Sequence, residues 1–70
     1  MRSSKQILNF IIKEKANGSV FQEMNIQMKI MMKGINVKGI MEGNIPDTPD
    51  LVDKLEKIAK EFDVNLAKMV

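Results

Sequence analysis

Apolar positions along the 70-residue chain fall into three blocks, separated by Asn17-Gly18, by Lys33-Gly34 and by the run Gly43-Asn44-Ile45-Pro46-Asp47-Thr48-Pro49. In the first block Ile7, Leu8, Ile11 and Ile12 share one side of a helical period. Ser3 and Gln6 stand at capping-box spacing ahead of them, and Gly18 offers a stop, so this block predicts a helix. In the last block Asp47 or Thr48 can cap, Pro49 suits a first turn, and Asp50 and Asp53 complement the positive end of the helix dipole. Val52, Leu55, Ile58, Ala59 and Phe62 then recur at helical spacing through to Asp63. Val64, Leu66 and Met69 predict a short final helix or an extended tail. The chain holds no internal repeat and no low-complexity tract.

The middle block, residues 19–41, supports two periods. At the helical period Val20, Phe21, Met24, Met28, Met31, Met32 and Ile35 share a face, with Ser19 as a cap. At period two, Met24, Ile26, Met28 and Ile30 alternate with Asn25, Gln27 and Lys29, and a hairpin turns at Lys33-Gly34. Methionine forms helices well and is not enriched in strands, which favours the helix. Ile26 and Ile30 lie off the main helical face, so a helix here has to be covered on two sides.

Composition narrows the chemistry. With 44% hydrophobic and 29% charged residues the chain belongs to the globular class, one domain over residues 1–70. It has no Cys, His, Trp or Tyr, so disulfides, thiolate nucleophiles, zinc-finger sites and the usual general base are all absent. Phe10, Phe21 and Phe62 are too few for a base-stacking platform. An enzyme is not expected, nor a cofactor or a metal. Asp47, Asp50 and Asp53 are read as caps and dipole partners rather than a cation site. The apolar stretch from Ile7 to Ile12 is broken by Asn9 and followed by Lys13, Glu14 and Lys15, too short for a secretory core or a membrane span. A cytoplasmic protein without membrane contact is the expectation.

Charge is unevenly spread. Residues 1–40 hold seven basic side chains (Arg2, Lys5, Lys13, Lys15, Lys29, Lys33, Lys38) against two acids, and residues 41–70 hold four lysines against seven acids. A basic half can face a polyanion, although solvated helix faces can also simply draw different charges.

The run from Leu55 to Met69, LEKIAKEFDVNLAKM, resembles the closing part of the Cro/repressor-type (XRE-like) helix-turn-helix domain. That family has a helix of the form leucine-x-lysine-isoleucine-alanine, then a turn, a valine, a small polar cap, a leucine and one short helix. Val52 stands where the family keeps another aliphatic, and Gly43 to Pro49 occupies the place of its glycine-to-proline loop, some three residues longer. Further upstream two registers fit. In one, Ile26 and Ile30 are the buried positions of the second helix, Met32 fills the turn, and Val37 and Ile40 are the buried pair of the recognition helix. The turn glycine is then Met31. In the other, Gly34-Ile35-Asn36 is the glycine–aliphatic–cap turn, and Lys33 takes a position the family keeps apolar. Gly34 or Gly39 falls in or beside the recognition helix either way, each costing about 1 kcal/mol relative to Ala.

The resemblance implies an all-α fold of four or five short helices. It further implies sequence-specific binding of double-stranded DNA by a small transcriptional regulator or a phage- or plasmid-type repressor. In that mode the second helix of the motif enters the major groove. Asn36 and Lys38 then face base edges, Lys33 lies at the start of the recognition helix, and Lys29 and Gln27 meet phosphates. Such domains act as homodimers, here through the final segment with Val64, Leu66 and Met69. For each side chain the plainer reading is a solvated polar residue. The acid-free cluster from Gln27 to Lys38 is the stronger signal.

Two alternatives stand beside this. Five of the seven methionines fall between residues 24 and 41. They either fill an irregular small core, the plainer reading, or form an adaptable surface that docks another protein without DNA. The remaining possibility is a small α+β fold, a β-meander over residues 5–41 followed by a helix and a strand, acting through a sheet face or edge.

Overall fold

Ser3 opens the first helix. Its hydroxyl accepts from the Gln6 amide at 3.1 Å, and the Gln6 side chain accepts from the Ser3 amide at 3.0 Å, so both halves of the capping box are closed. In a computed structural model, which describes residues 3–69, this helix (α1) runs Ser4–Ala16. Asn17 ends it in the left-handed region at φ 51°. Ser19 caps α2 (Val20–Met32), its hydroxyl accepting from the Gln22 amide at 3.3 Å. A turn over residues 33–36 leads to α3 (Val37–Met41), capped by Asn36, and Thr48 caps α4 (Pro49–Glu61), with Pro49 in the first turn. A single 3-10 turn, Leu66–Lys68, closes the described chain. The fold is all-α, and no strand occurs among the described residues, which rules out the meander and the hairpin for residues 19–41. Arg2 lies outside the described residues.

α1 is the element on which the other three helices pack. It contributes Ile7, Leu8, Ile11 and Ile12, which meet Ile26 and Ile30 of α2, Ile35 of the turn, Val37 and Ile40 of α3, and Leu55, Ile58 and Ala59 of α4. Each such side chain is worth roughly 1.5–3 kcal/mol on burial. Val64 belongs to the same core, and Leu66 and Met69 pack against it. Of the final segment expected to form a dimer surface, Val64 is buried in the monomer and Leu66 and Met69 are partly covered by it.

The middle block is helical, and Ile26 and Ile30 are buried as the first of the two registers has them, but the face that carries the methionines is left uncovered. Val20, Phe21, Met24, Met28, Met31 and Met32, the expected core face, are between 55% and 84% exposed. Ile26 and Ile30 carry α2's burial instead. The physical reason is shape. Stiff, mostly β-branched side chains of α1, α2 and α3 fill the core, and four unbranched methionines on α2 are left outside. Core filling is thus corrected for Met24, Met28, Met31 and Met32.

Candidate interaction surfaces

The segment from Met31 to Met41 decides where the polar side chains go. Gly34 has φ +91°, Ile35 beside it is buried, and Asn36 caps α3 by accepting from the Gly39 amide at 3.0 Å. Of the two registers considered, the glycine–aliphatic–cap order of Gly34-Ile35-Asn36 describes this turn. Met32 does not fill it, being 84% exposed. Gly39, inside α3, is crowded by two neighbouring side chains. A Cβ there would stand 2.7 Å from Cδ1 of Ile45 and 2.8 Å from Nδ2 of Asn36. The recognition-helix candidate is consequently five residues long, and Gly43 (φ 77°) ends it, the Asn44 amide reaching back to the Gly39 carbonyl at 2.9 Å.

Two of the five expected DNA-facing residues are exposed without a side-chain partner. Lys29 and Lys38 are exposed, and Gln27 is half-buried beside a groove that it lines with Met31, Val37, Lys38, Met41 and Glu42. Asn36 is exposed, yet its carboxamide oxygen is engaged as the α3 cap. Lys33 turns the other way. Its ammonium pairs with the Glu61 carboxylate and lies 5.9 Å from the centre of the Phe62 ring, against the end of α4. The five residues therefore do not converge on one patch.

Asp47 also departs from its expected role. Thr48 caps α4, accepting from the Leu51 amide at 3.2 Å. Asp47 reaches across the fold to the start of α1, accepting from the buried Ser4 amide at 2.8 Å and from the Ser4 hydroxyl. Those two donors, the hydroxyl first, hold its carboxyl below the usual aspartate value.

The largest surface feature is one that no polar motif announces. Along the outer side of α2, Val20, Phe21, Met24, Met28, Met31 and Met32 form a continuous apolar strip one helix long. Its signal in the sequence is the double period itself, since a helix with Ile26 and Ile30 on one side and this series on the other is apolar on both. Flanking polar residues are Asn25 and Gln27, and between Met24 and Met41 there is no acid. No helix among the described residues is long and apolar enough to cross a membrane. The chain matches no protein-family model, no curated protein and no solved structure.

Proposed function

We propose that this protein is a small protein–protein interaction module whose docking surface is the outer face of α2. One observation carries the reading: six large apolar side chains in a row are exposed on a helix whose opposite side already completes the core. A soluble monomer rarely leaves a contiguous patch of this size open, and such patches mark interaction sites. Methionine suits the role, because its unbranched, polarizable side chain adapts to a partner's shape. The test is the double variant Phe21→Glu/Met28→Glu. In dilute protein, where the face is open, a docking face predicts unchanged helix content and thermal stability, with loss of the binding of a hydrophobic dye such as anilinonaphthalene sulfonate. Unfolding of the variant would show that the face is core, and the reading would fall.

A second reading is double-stranded DNA binding by a regulator of the repressor type. What supports it is the order of α2, a glycine-bearing turn and an asparagine-capped α3, with Lys29 and Lys38 exposed on a stretch of chain, Met24 to Met41, that holds no acid. Titration with random duplex at several salt concentrations tests it. Affinity should fall steeply as salt rises, and Lys29→Glu/Lys38→Glu should abolish it. Binding that ignores salt or survives that variant would end this reading.

A further inference from the structure

The apolar strip on α2 has a symmetry that selects its partner. Phe21, Met24, Met28 and Met31 follow one another at intervals of three, four and three residues, the spacing of a helix–helix seam. The strip is also balanced about the level of Ile26: Met24 and Met28, Phe21 and Met31, and Val20 and Met32 lie at equal distances on either side. We infer that its occupant is a second copy of this chain, α2 pairing antiparallel with α2 about a two-fold axis at that level. This deepens the docking-surface reading and rests on it.

An antiparallel pair places Phe21 in one layer with Met31 of the second copy, and Met24 in one layer with its Met28. Each Phe21 ring then meets a thioether, a favourable contact. The helix dipoles oppose one another. The positions bordering the seam are Asn25, Gln27, Val20 and Met32, none of them charged, while Glu23 and Lys29 lie further round the helix. Seam-edge charges are what select foreign partners, and like charges there repel copies. A neutral edge lets two copies of a chain of net charge +2 meet without a like-charge clash. All six side chains are more than half exposed, so the strip offers apolar area for an interface to bury. Past Met31 the strip borders a groove floored by Met41 and flanked by Lys38 and Glu42, which are of opposite charge. The other apolar candidate, Val64, Leu66 and Met69, is packed on the core.

Sedimentation equilibrium on the wild-type chain, up to about 0.5 mM, tests the pairing. With no Trp or Tyr, detection uses peptide absorbance. A dimer is expected, and Phe21→Glu/Met28→Glu should weaken it about tenfold or more while circular dichroism stays helical. The orientation is read by disulfide trapping, clean in a chain without cysteine. A mixture of Met24→Cys and Met28→Cys chains should cross-link to each other in preference to themselves. Preferential linking of identical variants would overturn the antiparallel arrangement. A wild-type monomer throughout overturns self-pairing, and the dye then separates two failures. Dye bound by wild type and lost in the Glu variant leaves the docking surface standing with a different occupant. No dye bound by the monomer removes the docking surface too.

Discussion

α1 and α2 are matched in outline and opposite in burial. Both are thirteen residues long, both start at a serine cap, and they lie against each other. α1 buries Ile7, Leu8, Ile11, Ile12 and Ala16 and turns lysines and glutamate outward, the ordinary amphipathic solution. α2 buries Ile26 and Ile30 and turns Phe21 and four methionines outward. For α1 the fold of one chain satisfies the whole helix. For α2 it satisfies half, and the unsatisfied half is where a partner belongs.

The widest gap between the two faces should open between neighbouring residues of α2. Ile30 is fully buried, so Ile30→Ala should cost about 2–5 kcal/mol. A domain this small rarely holds more than about 3–5 kcal/mol, and that variant should be largely unfolded at room temperature. Met31→Ala, one position on and more than half exposed, should change the dilute monomer by less than about 0.5 kcal/mol. Urea titrations followed by circular dichroism at low protein concentration give both numbers. Equal losses would mean that the methionines are packed after all, and the contrast drawn here would disappear.

The next effect sits in α3. Gly39 has helical geometry, so propensity alone gives Gly39→Ala a gain of about 1 kcal/mol. The new methyl has to displace Cδ1 of Ile45 and the capping amide of Asn36, and overpacking of that kind costs roughly 1–3 kcal/mol. A net loss of about 1 kcal/mol is expected, lowering Tm by roughly 4–8 °C. A Tm that rises would place Ile45 outside this contact.

These outcomes also mark what could be read without coordinates. The capping box at Ser3, the stop at Asn17-Gly18, the Ser19 cap and the Thr48-Pro49 start of α4 are local devices, satisfied within a few residues, and they were legible. So was the apolar stripe of α4, where Leu55, Ile58 and Ala59 have no competing face. Periodicity alone does not give the direction of α2, because both of its sides are apolar; the first register of the resemblance does turn Ile26 and Ile30 inward, where they share one core with the α1 side chains. Lys33 was misplaced for a related reason. Its partners Glu61 and Phe62 come from the far end of the chain, and nothing near residue 33 announces them. Asn36 is polar and at the turn, as the pattern implies, but its carboxamide oxygen serves the backbone of α3.

Smaller effects compare the two helix starts. Ser3→Ala removes a closed capping box and should cost about 1 kcal/mol, whereas Ser19→Ala removes one 3.3 Å bond and should cost about half as much. Thermal melts of the two variants side by side decide it. A larger loss at Ser19 would make the α2 start, not α1, the better-anchored one.

The finest distinction is that α1 has a second anchor, from the far side of the fold, and this one depends on pH. Asp47 accepts from the Ser4 amide and hydroxyl across a separation of 43 residues, fastening the loop before α4 to the first turn of α1. Its carboxyl is held below the usual value by those donors. In the unfolded chain it titrates near 3.9. The folded value is the lower one, so the stabilisation is complete above pH ~4 and fades as pH falls through the folded value. Asp47→Asn keeps an acceptor oxygen but cannot titrate. Urea midpoints measured from about pH 6 to about pH 2 should therefore fall more steeply for wild type than for the variant below pH ~4, and the two should converge in acid. Parallel curves would mean that Asp47 is not fastened to Ser4. The start of α1 would then rest on its serine box alone, as the start of α2 rests on Ser19.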